Sequence, residues 1–310
     1  MFFANMGIAA GQVLILYLLV AVGFIADKTK IFGQETARRS NNLLFYVITP
    51  SVIVRSFLSM QFDVTTAASF GYAFLGCSAT LLIGILVAMP LFRGTGAKRP
   101  VFQYAVSYGN MGYMALPLCD ALLGAEGVFY CSAGVVAFNI ISFTHGVWLM
   151  TKDGDHKEPF RLRRLVLNPG VISVLIGLPL FLLGVKLPAI PQKALDYVAS
   201  LNTPLAMIFL GTYIANTNLK SLFKEKNAFL VALLKLVALP LVMYGIFRLV
   251  GVTGTLLTAL MISASTPSAN NTVMFSAKYG KDTGLASQIV AMASLLSVFT
   301  IPAMIALSSL

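Results

Sequence analysis

Two stretches of the chain decide its fold: residues 107–117, SYGNMGYMALP, and residues 263–272, SASTPSANNT. Each places proline, glycine or asparagine inside a segment that is otherwise apolar enough to cross a membrane. Lipid offers no water to unpaired backbone groups, so interrupted helices at membrane depth are buried in protein or line a polar cavity. Paired interruptions in the two halves of a chain are typical of the binding sites of secondary transporters.

The composition of the whole chain agrees with a membrane location. Hydrophobic residues make up 58% of the sequence, charged residues make up 11%, and the mean hydropathy is +0.85. The net charge of +11 does not indicate nucleic-acid binding, because the basic residues are scattered singly between apolar runs and form no stripe. We therefore expect an all-α integral membrane protein whose partner is the lipid bilayer.

Apolar stretches of about 20 residues, the length that spans about 30 Å of hydrocarbon, predict ten transmembrane helices. Their expected bounds are 8–26, 39–59, 67–91, 101–121, 127–149, 168–186, 197–217, 227–249, 255–278 and 284–307. The two interrupted stretches fall in the fourth and ninth of these helices. We expect both helices to be broken and to cross each other.

The distribution of basic residues predicts the orientation in the membrane. When residues at helix ends are counted with the adjoining loop, 17 of the 22 Lys and Arg residues lie on one side and 3 on the other, with Arg55 and Lys235 inside spans. The positive-inside rule makes the first side cytoplasmic, so both termini are expected outside the plasma (bacterial inner) membrane. The start of the chain lacks a basic n-region and a cleavage site, which favours a retained first helix over a signal peptide.

The second half of the chain weakly resembles the first. Residues 121–144 align without gaps on residues 277–300, so that Gly124 meets Gly280. Because five helices are an odd number, the second copy must enter the membrane from the opposite side. The expected organisation is a first five-helix repeat (1–150), a cytoplasmic linker (151–166) and a second, inverted repeat (167–310). A chance alignment of apolar residues is the alternative.

The chemistry of the two breaks favours an anion. Pro117 and Pro267 lack an N–H and are each suited to the first turn of a new half-helix. The N-terminus of a half-helix carries unpaired N–H groups and partial positive charge. The predicted substrate-binding residues are Asn110, Met111, Gly112, Pro117, Thr266, Pro267, Ser268, Asn270 and Asn271. The alternative is that the prolines kink packed helices and the asparagines join neighbouring helices.

Few charged or strongly polar groups fall inside the spans. Lys235 is expected either to hold a countercharge or stand in for a coupling cation, or to extend to the cytoplasmic surface. Arg55 is expected to extend outward, with a role as a charge or coupling residue as the alternative. Asn139 and Gln288 are candidates for the polar core, with bonding between helices as the alternative, while Asp120 is expected to face water. The three cysteines, Cys77, Cys119 and Cys131, are interpreted as buried hydrophobes, and no metal site or cofactor is indicated.

The residues resemble the auxin efflux carrier family, which includes bacterial transporters. The most specific parts are Asn110 followed seven residues later by Pro117, Pro267 followed by the run FSAKY at residues 275–279, and Pro302 in the last helix. The resemblance implies ten helices, of which the first, second, sixth and seventh form a scaffold while the others form a moving transport domain. It also implies organic anion substrates, a homodimer formed through the scaffold, and Asn110, Pro117 and Pro267 in the crossing.

The expected function is transport of a small organic carboxylate, such as malonate or an indole-type acid, by an alternating-access, elevator-like motion. The absence of a carboxylate at midplane favours efflux or uniport over coupling. A sodium- or proton-coupled importer is the nearest alternative. An intramembrane enzyme is disfavoured because the chain has no HExxH, no GxSG-like serine motif and no acidic pair at helix centres. A membrane receptor that binds a ligand without moving it remains open.

Overall fold

The computed structural model describes residues 2–152, 167–216 and 225–308, and the regular structure in these ranges is helical. Most of the predicted linker, including His156, lies outside the described residues. The helices, in chain order, are α1 (Phe2–Lys28), α2 (Gln34–Ser59), α3 (Val64–Leu91), α4 (Arg99–Ser107), α5 (Met111–Thr151), α6 (Pro169–Leu182), α7 (Ala189–Ala215), α8 (Lys226–Leu249), α9 (Gly254–Ser265), α10 (Asn271–Lys278) and α11 (Thr283–Ser308). A short 3₁₀ helix (Arg93–Lys98) precedes α4.

The length and composition of these helices confirm a multi-pass membrane protein. Six helices of the described part, namely α2, α3, α5, α7, α8 and α11, are each long and apolar enough to cross a bilayer. The prediction of an all-helical membrane fold is therefore confirmed. Each of the ten predicted segments also overlaps at least one helix.

Three of the long helices widen into a π turn just before a proline. The π turns Leu44–Ile48, Met111–Ala115 and Leu234–Ala238 each end two residues before Pro50, Pro117 and Pro240, respectively. Proline cannot donate to the carbonyl four residues earlier, and its ring crowds that carbonyl, so a wider turn relieves the clash. Proline spacing thus shapes α2, α5 and α8.

Gly124 and Gly280, which the internal alignment pairs, share an unusual backbone conformation. Both have φ of +63°, a value that strains residues carrying a Cβ. At Gly124 the helical dihedrals of α5 are interrupted, whereas the residues on either side continue as helix. The sequence predicted a loop at 122–126, and the structure narrows the interruption to this one glycine.

The helices pack as two groups. The flanking group contains α1, α2, α6 and α7, in which α1 packs along the second half of α7 and α2 packs on α6. The contact between α1 and α7 is close: a Cβ on Gly23 would lie 2.1 Å from Ile208 O, and a Cβ on Gly211 would lie 2.0 Å from Val20 O. The crossing group contains α3, α4, α5 and α8 to α11, and the two groups meet mainly where α1 contacts α11 and where α2 and α6 contact α5.

Candidate functional site

The two interrupted stretches meet inside the crossing group. Helix α4 ends at Ser107 and α5 begins at Met111, while α9 ends at Ser265 and α10 begins at Asn271. The linking segments, residues 108–110 and 266–270, form a short antiparallel bridge, which we call the crossing. The N–H of Asn110 donates to Pro267 O at 2.8 Å, and the N–H of Ala269 donates to Tyr108 O at 2.9 Å. The crossing thus satisfies backbone groups that the helix breaks leave unpaired.

Two hydroxyl side chains hold the crossing in place. Thr266 Oγ1 donates to Ser263 O at 2.9 Å and Ser268 Oγ donates to Ala105 O at 2.8 Å, and both side chains are fully buried. Neither residue lines the cavity described below. In the structure both hydroxyls are engaged with backbone carbonyls, whereas the sequence predicted both residues as substrate-binding.

The two prolines occupy different places. Pro117 lies in the first turn of the α-helical part of α5, as predicted. Pro267 lies within the crossing itself, three residues before the cap of α10, so its predicted place in a helical first turn is wrong. The carbonyl of Pro267 accepts a bond from the opposite segment, and a residue without an N–H leaves no donor unpaired there. Neither proline lines the cavity described next.

A cavity of about 730 Å³ lies against the crossing. Five of the predicted substrate-binding residues line it: Asn110, Met111, Gly112, Asn270 and Asn271. Asn139, a predicted core residue, lines it too. The structure therefore brings together residues from both breaks and from the second half of α5.

Two helices begin at the cavity and present backbone donors to it. Among the described residues, the N–H groups of Gly112 in α5 and of Asn270 and Asn271 at the start of α10 have no hydrogen-bond acceptor. The next N–H in α5, that of Tyr113, is capped by Asn110 Oδ1 at 3.2 Å. Unpaired donors at a helix N-terminus, together with the helix dipole, form a site for negative charge.

Amide side chains dominate the polar lining. Seven asparagines face the cavity: Asn41, Asn42, Asn110, Asn139, Asn168, Asn270 and Asn271. Some are already engaged, since Asn139 Nδ2 donates to Val135 O at 2.8 Å and Asn41 Nδ2 donates to Tyr113 Oη at 3.1 Å. An amide can donate and accept at once, so these side chains can bind a ligand without placing a formal charge beside it.

Three of the lining asparagines were missed from the sequence. Asn41 and Asn42 lie near the start of α2 and Asn168 caps α6 by accepting from Gly170 N at 3.0 Å. The available signal was the Asn-Asn pair at the edge of an apolar span, which repeats the pair at 270–271. Asn168 gave only an ordinary capping signal before Pro169.

Among the described residues that line the cavity, Lys278 is the only one that carries a formal charge. Its Nζ lies 3.0 Å from Tyr279 Oη and 4.6 Å from the centre of that ring. Apolar and aromatic side chains, including Phe45, Phe138 and Phe275, form much of the remaining wall. The cavity therefore combines an amide-rich end at the crossing, apolar walls and one cation.

Lys235 is buried behind the crossing rather than in the cavity. Its side chain is 1% exposed, so the predicted alternative of extension to the surface is wrong. Its Nζ lies 3.5 Å from Ala264 O, and a Cβ on Gly109 would lie 2.9 Å from that nitrogen. Gly109 itself lines the cavity, so one residue's backbone separates the ammonium from the ligand space.

Two predicted charge positions are corrected by the structure. Arg55 Nη2 lies 2.7 Å from Asp120 Oδ1, and the two side chains are only 19% and 17% exposed. The expectation that Arg55 extends outward and that Asp120 faces water is wrong, because each satisfies the other's charge between α2 and α5. Gln288 is half-buried on α11 and does not line the cavity.

The cysteines and His145 complete the polar inventory near the site. Cys77, Cys119 and Cys131 are buried free thiols, as predicted, and no cluster of metal-ligating side chains occurs within the described ranges. In the structure His145 Nδ1 lies 2.9 Å from Tyr108 Oη, which links the π turn Ser142–Gly146 of α5 to the crossing.

Comparison with known proteins agrees with this geometry. The family model described as "Membrane transport protein" matches residues 8–161 and 157–305. An "Uncharacterized transporter" of Methanocaldococcus jannaschii is 24% identical, and the alignment covers 93% of this chain and 95% of the relative. A "Putative malonate transporter" of Rhizobium meliloti is 25% identical, with 94% of this chain and 93% of the relative covered. "Uncharacterized transporter YfdV" of Escherichia coli is 20% identical, with 97% of this chain and 98% of the relative covered.

The family match covers nearly the whole chain and confirms the resemblance to the auxin efflux carriers. The family and these relatives are transporters and not enzymes. The chain therefore belongs to the membrane transport protein family of auxin efflux carrier type, and it is a membrane transporter.

Proposed function

We propose that this transporter carries small organic carboxylates and that the crossing binds the carboxylate group. One observation carries the proposal: two helices begin at a single cavity, and each presents unpaired N–H groups to it. Gly112 contributes from α5, and Asn270 and Asn271 contribute from α10. Neutral donors of this kind suit an anion that must be both bound and released, because they give moderate rather than extreme affinity.

The remaining lining fits the rest of such a substrate. Asn110 and Asn139 add amide groups near the helix starts, whereas the aromatic side chains of Phe138 and Phe275 face an apolar skeleton. Met111 contributes apolar surface beside the amides. Thr266, Pro267 and Ser268 support the site from behind by holding the crossing.

The ion pair lies beyond the cavity along α2, whose lining residues extend from Asn41 to Thr49. Asn41 and Asn42, near the start of α2, line the cavity, whereas Arg55 near its end pairs with Asp120. Near that end, Phe57 of α2 packs on Phe129 of α5, with ring centres 4.9 Å apart. In the orientation given by the basic loops, this is an inward-facing state closed on the outer side. Alternating access then requires the crossing group to move against the flanking group in an elevator-like motion that breaks these contacts.

The membrane architecture that fits this function has ten crossings in two inverted repeats. The repeats are residues 1–150 and 167–310, joined by a cytoplasmic linker at 151–166, with both termini outside the bacterial inner membrane. The shared φ of Gly124 and Gly280 supports the repeat alignment. Thr49 Oγ1 donates to Asn202 Oδ1 at 3.1 Å, so Thr49-Pro50 of the first half lies beside the segment that contains Thr203-Pro204 of the second half. The flanking group is the scaffold in this arrangement and the surface for homodimer formation.

The energetics of an uncoupled carrier favour export. A monovalent anion leaving the cell gains about 2.3 kcal/mol per 100 mV of inside-negative potential. Efflux or uniport therefore requires no coupling ion, whereas accumulation by an importer requires sodium or a proton. Because one relative is named as a putative malonate transporter, dicarboxylates belong in any substrate screen.

The proposal is tested by a panel of carboxylic acids added to the purified protein. A substrate should raise the thermal unfolding temperature, since binding to the folded state stabilises it. The stabilising acids should then leave proteoliposomes containing the protein faster than protein-free liposomes. Binding without flux would instead indicate a receptor, and stimulation by an imposed sodium or proton gradient would indicate the coupled importer.

A further inference from the structure

Lys235 lies where the crossing presents negative rather than positive polarity. Helices α5 and α10 begin at the crossing and turn their N–H ends toward the cavity, whereas α9 ends there. The last carbonyls of a helix have no partner within it, and they carry the negative end of its dipole. Ala264 O is one of these carbonyls, and Lys235 Nζ lies 3.5 Å from it.

Two oxygen atoms lie near the ammonium group, namely the carbonyl of Ala264 and the hydroxyl of Thr266. Thr266 Oγ1 and Lys235 Nζ lie 2.5 Å and 2.9 Å from the position that a Cβ on Gly109 would take, so both lie close together against that residue. Carbonyls at the ends of interrupted helices, with nearby hydroxyls, are the groups that bind coupling cations in secondary transporters. The carbonyl of Ala264 and the hydroxyl of Thr266 are therefore ligands of the type that sodium takes.

A buried lysine needs a countercharge or a substitute for one. Among the described residues, the ion pairs are Arg39 with Glu35, Arg55 with Asp120 and Lys98 with Glu225, and none includes Lys235. The carbonyl end of α9 stabilises the ammonium in part. An anion bound in the cavity on the other side of Gly109 would neutralise the ammonium charge, with only the backbone of Gly109 between the two charges.

We propose that the Lys235 ammonium is a tethered cation that takes the place of a dissociable coupling ion. The inference rests on the proposed binding of carboxylates at the crossing and adds the source of the positive charge. Lys235 is a positioning residue in this arrangement, because Gly109 separates it from the substrate. The transporter should then bind carboxylates equally well with or without sodium, since its cation cannot leave.

The decisive variant is Lys235→Ala, which removes the charge and opens space among the oxygens. Without any carboxylate, sodium chloride should raise the thermal unfolding temperature of this variant above its value in an equal concentration of choline chloride. The wild-type protein should show no such difference. In choline, carboxylate affinity should fall at least about tenfold in the variant because a nearby buried charge is lost, and sodium should restore part of it.

The variant Lys235→Met separates the effect of losing the charge from the effect of leaving an empty space. Methionine fills much of the volume that alanine leaves empty, so this variant should lose affinity similarly but gain no response to sodium. Lys186→Ala, at an exposed lysine, controls for the general loss of one positive charge. If Lys235→Ala does not fold, Lys235→Met provides the test. A weakened affinity for the carboxylate supports the inference, and an unchanged affinity overturns it.

The outcomes distinguish this inference from the proposed function. If the wild type neither binds nor moves any carboxylate while Lys235→Ala still gains stabilisation by sodium, the tethered cation stands and the substrate proposal fails. If the wild type transports carboxylates but requires sodium, or if Lys235→Ala shows neither a sodium response nor weakened affinity, the tethered cation is wrong.

Discussion

The backbone N–H of Asn110 donates to the carbonyl of Pro267 across 2.8 Å, joining the break after α4 to the break after α9. A second bond, from Ala269 N to Tyr108 O, lies on the other side of Gly109. The two breaks are therefore one structural unit, and the helix starts that face the cavity are held at a fixed separation. Gly109 lies between these two bonds, and a Cβ there would meet Thr266 and Lys235.

Replacing Gly109 with alanine should disrupt the crossing. The new Cβ would lie 2.5 Å from Thr266 Oγ1 and 2.9 Å from Lys235 Nζ, both in fully packed surroundings. Overpacking of this kind costs about 1–3 kcal/mol of stability, so the thermal unfolding temperature and carboxylate affinity should both fall. Gly112→Ala is the matched control, because Gly112 lines the same cavity but has open space around its Cβ position. Equal melting temperatures for the two variants would contradict the packing described here.

Asn110→Asp should separate the capping role of this residue from anion binding. Aspartate keeps an oxygen acceptor for Tyr113 N–H and adds negative charge at a helix start, so the fold should be retained. Binding of a carboxylate should weaken at least about tenfold, because like charges repel in a poorly solvated site. The measurement is a thermal-shift or calorimetric titration with an acid that stabilises the wild type.

Asn168→Asp provides the control for that charge. Asn168 also lines the cavity and also caps a helix start, but it belongs to the flanking group and lies apart from the crossing. It should weaken binding much less than Asn110→Asp. Equal losses for both variants would move the anion site away from the crossing.

The ion pair between Arg55 and Asp120 should hold the flanking group and the crossing group together in the resting conformation. Removing one partner leaves a poorly solvated charge and should cost about 1–3 kcal/mol, whereas the double variant Arg55→Met, Asp120→Asn should cost less than the sum. Each single variant should also shift the resting conformation toward opening on the α2 C-terminal side. Accessibility of an introduced cysteine at that side to a membrane-impermeant thiol reagent measures the shift.

The exposed pair Arg39 and Glu35 supplies the comparison. Its side chains are 81% and 65% exposed, so Arg39→Gln should change stability by no more than about 0.5 kcal/mol and should leave thiol accessibility unchanged. If a single variant of Arg55 or Asp120 changes stability and thiol accessibility as little as Arg39→Gln does, the ion pair does not hold the two helix groups together.

Gly23→Ala should weaken the contact between α1 and α7. The added carbon would lie 2.1 Å from Ile208 O, so the two helix backbones would have to separate, at about 1–3 kcal/mol. Gly11→Ala in the same helix has nothing within 4 Å and should be neutral or stabilising by about 0.5–1 kcal/mol. Melting in detergent compares the two, and a Gly23 variant as stable as the Gly11 variant would refute the tight contact.

The helical framework was predictable because apolar length and proline placement act locally. The break between α4 and α5, the break between α9 and α10, and the presence of Asn110 and Asn270 at one site all followed from polar and helix-breaking residues in apolar surroundings. Asn41 and Asn42 were not predicted as lining residues, because only the packing of α2 against the crossing group places them there.

The misassigned charges show where local reasoning stops. Nothing near Arg55 or Asp120 in sequence indicates that they meet, since 65 positions separate them. Lys235 was ambiguous for the same reason: its depth in α8 allowed either extension to the surface or burial. In the structure Lys235 is buried, and its ammonium lies against a carbonyl at the end of α9, nearly thirty positions away in sequence.

The bonds across the crossing join main-chain atoms on both sides, and this has a consequence for how such carriers diversify. The junction makes little demand on the chemical identity of the side chains that point from it into the ligand space. Neighbouring amide or aromatic residues can therefore be exchanged to retune selectivity while the junction stays intact. The same crossing can therefore serve transporters of many different substrates.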